Sequence, residues 1–205
     1  MKIKLKDLVK LQDIKQGAFI IDVGGYQGKY IEEVLKFEPK LLVYEPYTPF
    51  FNQLKEKFKD YSNIKIKNFA LLDSECCLDF YIREEGSSLY KELAKSEIKE
   101  KVYCLKASDE LGNKREHEFL NIDVLKLNCE GSEYKIIDDL DRYDILKNIQ
   151  EILIQFHKVG NKKQAMEILS KTHCIVYDYK FQLWKRKQLP QILSLRMECP
   201  LLARS

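Results

Sequence analysis

The sequence predicts an α/β fold with a mostly parallel central sheet, helices on both faces and an antiparallel closing strand. Three observations predict it. Short apolar runs rich in β-branched and aromatic residues alternate with stretches of helical period, the sequence form of strands joined by crossover helices. The first run, "AFIIDVG", breaks straight into a glycine-rich turn, and the last two, "CIVYDYK" and "FQLWKRK", look like a closing pair of strands.

Composition sets the frame. The 205 residues suit one compact domain, and an apolar content of 45% is enough to bury a continuous core. No Pro/Gly/Ser-rich linker divides the chain, so residues 1–205 are expected to form a single domain. The N-terminal stretch "MKIKLKDLVKLQDIKQG" carries a charge every few residues and lacks the uninterrupted apolar run of a signal peptide or membrane span. A soluble cytoplasmic protein with no membrane span is the expectation. Basic residues number 35 and acidic 32, scattered throughout, and a net charge of +3 argues only weakly for a polyanion, so no nucleic-acid partner is expected. Cysteines at 76, 77, 104, 129, 174 and 199 form no C-x-x-C pair and have no histidines at zinc-finger spacing. Most lie in apolar runs, where a free thiol behaves as a small hydrophobe, and this usage suits a reducing compartment.

Taken in order, the strand candidates are "AFIIDVG", "KLLVYEP", "IKIKNFALL", "VLKLNCEG" and "EILIQFH". Between the first two, Ile31, Val34 and Leu35 repeat at helical spacing. After the second, Thr48 can cap a helix that opens on Pro49 and carries Phe51, Leu54 and Phe58 on one face. Residues 76–123 break the alternation and read as an irregular insertion, with short strands "CLDFYI" and "VYCLKA" around a helix-compatible "SLYKELAKSEIKEK". Asn161 can cap a further helix with Ala165, Ile168 and Leu169 inward. The tail from residue 188 has no clear period.

The glycine turn is the first functional clue. A dinucleotide fingerprint needs G-x-G-x-x-G, but counting from Gly24 the second and third glycine positions hold Tyr26 and Lys29. A P-loop fails too, since no G-K-[ST] follows. What stands is Asp22, Gly24, Gly25 and Gly28, with the acid inside the strand end. A carboxylate there repels pyrophosphate but can hydrogen-bond the cationic amino acid part of a ligand that also carries a sulfonium. Glu45 ends the next strand, where an acid can accept both hydroxyls of a ribose. An intact diol together with a positive charge points to S-adenosylmethionine. The alternative is that Asp22 merely caps the turn and Glu45 is a solvated strand end; the pair on consecutive βα units favours the cofactor.

The blocks "FIIDVGGYQGKY", "LLVYEPYTPFFNQL", "NFALLD", "GSSLY", "IDVLKLNCEGSEYKII" and "EILIQFHK" together resemble the FkbM-type methyltransferases, over roughly residues 18–158. The resemblance implies a Rossmann-like class I methyltransferase fold and S-adenosylmethionine-dependent O-methylation of a hydroxyl on a sugar, glycan or secondary metabolite. It implies that Asp22, Gly24, Gly25 and Gly28 form the cofactor loop, that Glu45 holds the ribose and that Ala70 lies near the adenine. Lys126, Glu130, Gly131 and Glu133 fit the pattern K-x-D-x-E-G-x-E, whereas Asn128, expected among the cofactor-binding residues, stands where the pattern has aspartate. In related O-methyltransferases an acid at this strand end can bind a divalent metal. A neutral amide is a poorer ligand for a hard cation, which argues against metal dependence here.

Methyl transfer to a hydroxyl needs a base, and His157, just after "EILIQF", is the first candidate, because strand C-termini open onto the ligand crevice and its ordinary pKa suits the task. The competing reading is a histidine that only caps the strand. Glu130 can assist the base, hold a substrate hydroxyl or touch the cofactor, or be satisfied by backbone amides of the next helix. Ser87 and Ser88 can orient a sugar from a loop over the site mouth, with Lys126 as a further substrate contact; ordinary loop chemistry explains the serines better. His117 reads as a solvated loop residue and His173 as a residue of bland role. Tyr44, Tyr47, Phe50 and Phe51 can stack on a ring, but packing accounts for most of them. Two other functions compete: a catalytically silent cofactor-binding or scaffolding domain, and an RNA methyltransferase, against which stands the absence of a dense basic-aromatic stripe.

Overall fold

Each of the apolar runs contributes to the sheets, and the order of the strands in space opens a crevice. The computed structural model describes residues 4–83, 86–112 and 121–187. His117 and the tail from residue 188 lie outside them. The chain runs α1 (Leu5–Leu11), β1 (Phe19–Val23), α2 (Lys29–Val34), β2 (Lys40–Tyr44), α3 (Thr48–Lys57), β3 (Ile64–Lys67), β4 (Ala70–Leu72) and β5 (Cys76–Tyr81). It continues α4 (Lys91–Ala94), β6 (Lys99–Lys106), α5 (Ala107–Gly112), β7 (Ile122–Leu127), α6 (Glu133–Arg142), β8 (Ile149–Ile154), α7 (Lys162–Thr172), β9 (His173–Asp178) and β10 (Gln182–Arg186).

Seven strands form the main sheet in the order β3-β2-β1-β7-β8-β10-β9. All are parallel except β10, which runs antiparallel to both neighbours and is the closing strand. The chain winds outward from β1 to β3 and then returns to place β7 on the other side of β1. That reversal is the point at which such sheets open a ligand crevice at their C-terminal edge.

Alternation along the strands divides the core. Phe19, Ile21 and Val23 of β1 face the α5–α7 side, with Leu125, Leu127, Ile136, Ile137, Leu140 and Ile152. Ile20 faces the opposite side, with Ile31, Val34, Leu41, Val43, Leu54 and Phe58 from α2, β2 and α3. Burial of each such side chain contributes about 1.5–3 kcal/mol, so the strands are held from both faces.

Three expectations need correction. "IKIKNFALL" is two strands: β3 joins the main sheet, while β4 joins β6 and β5 in a second sheet of order β4-β6-β5. Asn68 marks the break, its amide nitrogen donating to Glu45 O and Pro46 O, each at 2.9 Å. "SLYKELAKSEIKEK" is helical only over α4; Lys95 turns left-handed at φ 51°, and Lys99–Lys101 pair with β5 instead. The helix after β2 has Tyr47 at its cap, because α3 already includes Thr48, whose hydroxyl donates to Asn68 Oδ1 at 3.2 Å. Asn161 does cap α7, accepting from Gln164 N at 3.1 Å.

Candidate functional site

The C-terminal ends of β1, β2, β7 and β8 meet at the sheet reversal, and the second sheet forms a wall beside them. Between lies a cleft of about 1000 Å³, counted out to its open mouth. Gly24, Tyr26, Glu45, Ala70, Asn128 and Glu130 line it, and Phe69, Phe80, Gly86, Ser87, Leu89 and Lys180 close the rest.

Gly24 holds the turn at φ 86°, and a Cβ there would stand 2.2 Å from the carbonyl oxygen of Asn128. Both atoms belong to backbone, so neither can give way. Gly24→Ala is expected to destabilise the fold by about 1–3 kcal/mol from φ strain alone and to close the cleft to ligand. Chemical denaturation and a ligand titration check this; an alanine variant with parental stability and affinity would contradict it. Gly25 and Gly28 serve packing, since a Cβ at Gly25 would stand 2.6 Å from Val43 Cγ1 and one at Gly28 2.7 Å from the Phe58 ring.

Glu45 faces the cleft with both carboxylate oxygens engaged by backbone. Tyr26 N donates to Oε2 at 2.8 Å and Tyr47 N to Oε1 at 2.9 Å. Each oxygen keeps a second lone pair for a ligand. Burial pushes its pKa up from the ordinary 4.5 to about 7, against the pull of those two amides. Asn128 also lines the cleft, and its Oδ1 is buried with no hydrogen-bond partner among the described residues.

Across the cleft Glu130 adopts φ 50°, a left-handed conformation that non-glycine residues seldom take. Ser88 holds it there, donating Oγ to Glu130 O at 2.6 Å while accepting from Tyr90 N at 2.9 Å. The Glu130 carboxylate lies 3.1 Å from His157 Nε2, and His157 Nδ1 lies 2.6 Å from Glu133 Oε1. Glu133 has no exposed side-chain surface and also accepts from Gly131 N at 2.8 Å. Tyr134 OH donates to His157 O at 2.5 Å. Burial disfavours a charge on the imidazole, but hydrogen bonds and attraction from Glu130 and Glu133 outweigh it and raise the pKa to about 9.

Comparison with known proteins supplies the frame for this arrangement. No protein-family model matches the chain, and no curated protein matches it by sequence. Solved structures do match. The methyltransferase FkbM from Methylobacillus flagellatus KT superposes with a TM-score of 0.59 at 13% identity, covering 86% of this chain and 45% of its own. An rRNA methylase from Streptococcus thermophilus gives 0.52 at 8% identity over 90% and 92% of the two chains. Precorrin-6y C5,15-methyltransferase from Geobacter metallireducens GS-15 gives 0.50 at 10% identity over 89% and 86%. The chain has the Rossmann-like fold of these methyltransferases. It spans less than half the length of the first of them.

Within this fold the expected residues separate into those that face the cleft and those that stand behind it. Glu45, Ala70, Asn128, Glu130, Gly24 and Ser87 face it. Asp22 and Lys126 do not. They are register partners on β1 and β7 and point, like Ile20 and Val124, toward the α2 side. Lys126 Nζ lies 2.6 Å from Asp22 Oδ1 and donates to Gly24 O at 2.7 Å, with the two side chains 6% and 0% exposed. Lys126 is therefore corrected from a substrate contact to a strut under the glycine turn. Ser88 is likewise a brace rather than a substrate contact, its hydroxyl spent on Glu130 O and Tyr90 N. The Ser87 hydroxyl, though on the cleft, is taken by Arg83, accepting from its N at 2.8 Å and donating to its O at 2.6 Å. His157 stands beside Glu130, with Nε2 3.1 Å from its carboxylate and 2.9 Å from Gln155 Nε2, and with Nδ1 against Glu133; its raised pKa favours the imidazolium over the free base.

His173 is structural, with Nε2 3.0 Å from Ile149 O and a pKa lowered by burial to about 4. Tyr44 and Phe50 reach the cleft lining, whereas Tyr47 packs on Phe50 and Phe80. Phe69, Phe80 and Leu89 also line the cleft; Phe80 lies in β5, Phe69 just before β4 and Leu89 just before α4, and their apolar character alone does not mark them as lining residues. Among the described residues no group of three or more His, Cys, Asp or Glu side chains is placed to hold a metal ion, and no helix is long and apolar enough to cross a membrane.

Proposed function

We propose that the chain is an S-adenosylmethionine-dependent methyltransferase of FkbM type acting on a hydroxyl of a small molecule or glycan. One observation carries the reading: Glu45 and Asn128, the latter with an unpartnered buried oxygen, line a single cleft beside a glycine turn that a Cβ would close. The methyltransferase names of the structural neighbours support it. Glu45 would hold the ribose hydroxyls, the backbone at Gly24 and Asn128 would hold the amino acid part, and Ala70 with Phe69 would flank the base. When bound, the cofactor supplies a methyl carbon already activated by a sulfonium.

The chain's own residues then have separate tasks. Phe80 and Leu89 exclude water from the acceptor side, which sharpens alignment and strengthens local electrostatics. Glu130 faces the acceptor with its carboxylate and receives the hydroxyl proton. His157 does not take that proton; its imidazolium orients Glu130 and neutralises the second acid, Glu133. Asp22 and Lys126 set the height of the turn from below.

Calorimetry with S-adenosylmethionine, S-adenosylhomocysteine and NAD tests the proposal. Binding of the two sulfur nucleotides alone, lost in Glu45→Ala, is the expected outcome; absence of both would overturn it, and salt-dependent binding of RNA would redirect it to a polyanionic acceptor.

Titration of Glu45 adds a pH signature. Because its folded pKa lies above the ordinary value, the stability it contributes is full below about pH 4.5 and is lost as pH rises through about 7. Ribose hydroxyls donate to the ionised form, so affinity should move the other way, rising about tenfold between pH 6 and pH 8 with proton release on binding. Flat affinity over that range would contradict the ribose assignment.

A further inference from the structure

In the wall of the cleft two thiols stand opposite each other. In the antiparallel register of β5 and β6, Cys76 pairs directly with Cys104. Both contribute to one small apolar cluster with Phe80, Leu89 and Tyr47, so their side chains leave the sheet on the same face. Opposed residues of an antiparallel pair have Cα atoms about 4.5–5.5 Å apart. A disulfide spans Cα separations of about 4.4–6.8 Å. The two sulfurs can therefore bond without moving either strand far.

Their surroundings differ in a way that orders the chemistry. Cys104 has 0% exposure, and burial, together with the neighbouring Cys76, pushes its thiol up to about 12. Cys76 is only partly buried and is the sulfur that solvent reaches. Cys77 is exposed but pairs with Tyr103 and points to the other face, away from Cys104.

We propose that Cys76 and Cys104 form a reversible cross-strand disulfide when the protein meets a peroxide. The Cys76 thiolate attacks one peroxide oxygen; the O–O bond breaks, leaving a sulfenic acid on Cys76 and releasing hydroxide that leaves as water. The Cys104 sulfur then attacks the Cys76 sulfur; the S–S bond forms, the S–O bond breaks, and the departing hydroxide takes the Cys104 proton as a second water. Two thiols are oxidised and one peroxide is reduced to two waters. A dithiol reverses the bridge by exchange. Cys104 is also the register partner of Ala70 on β4. The bridge would sit one strand behind a cleft residue and tie the wall that carries Phe80.

Treating the folded chain with hydrogen peroxide, then unfolding, alkylating and mapping peptides under non-reducing conditions, tests the pair. The expected result is one intramolecular Cys76–Cys104 peptide, a loss of two thiols, recovery of both with dithiothreitol, and no such loss in Cys76→Ser. Cys77→Ser should oxidise as the parent does, and Cys104→Ala should stop at Cys76 sulfenic acid, trapped by dimedone. Separate alkylation of Cys76 and Cys104 after treatment, or a bridge through Cys77, would overturn the proposal.

Discussion

Lys126→Met should lower the unfolding free energy by about 3–5 kcal/mol, the range for removing one partner of a buried ion pair. Asp22 has no exposed surface, and Lys126 is its register neighbour and nearest cation. Burial already drives the Asp22 carboxyl above its ordinary value, with Lys126 the force opposing that shift. Without the lysine the acid is pushed further up. The group's contribution is then lost as pH rises, so the deficit should be larger at alkaline than at acidic pH. The variant also frees Gly24 O, so the turn loosens and ligand affinity falls with stability. Asp22→Asn in the Lys126→Met background should restore most of the stability, because the stranded charge is gone. Denaturant titrations with an unchanged slope check both steps. A single-variant loss below about 1 kcal/mol would mean that water reaches the pair, against its observed burial.

The second large effect concerns turnover. If the chain works as proposed, Glu130→Gln is expected to reduce methyl transfer by about 10²–10⁴-fold, the usual worth of a positioned acid–base group, while leaving S-adenosylhomocysteine affinity within a small factor of the parent. Glutamine keeps the size of the side chain and its reach to His157, so backbone strain at this left-handed residue changes little. On the same proposal His157→Ala should cost less, since there it removes an orienting partner and not the proton acceptor. Rates of both variants with one acceptor decide the order. If the histidine variant loses more than the Glu130 variant, the roles are reversed.

The same residues show what a linear chain discloses. Gly24 and Glu45 could be placed at the cleft because each directly follows a strand, and strand ends are marked by where an apolar run stops; the same mark points to Asp22, whose side chain lies on the α2 side instead. Glu130 and His157 could be placed near the site for the same reason. Their contacts could not, because these include Glu133 reaching back from α6 to the imidazole. Lys126 misled for a related reason: its side of the sheet is set by parallel register with β1, a relation between residues 104 positions apart. The strand pair β3 and β4 looked continuous because sheet membership is decided by partners, and Asn68 redirects the chain with side-chain bonds that leave no periodic trace.

Placing β1 between β2 and β7 has a consequence for how the protein is made. One edge of β1 is filled within about two dozen residues by β2, but the other waits for a strand that begins at Ile122. Loop-closure entropy makes such a distant pairing slow compared with the local one. Until β7 docks, the Asp22 carboxylate has no lysine beside it and the Gly24 carbonyl has no strut. The turn that is synthesised first is thus among the last parts to be locked, and a nascent chain that has emerged only as far as α5 carries the glycines before the cleft beside them has closed on its β7 side.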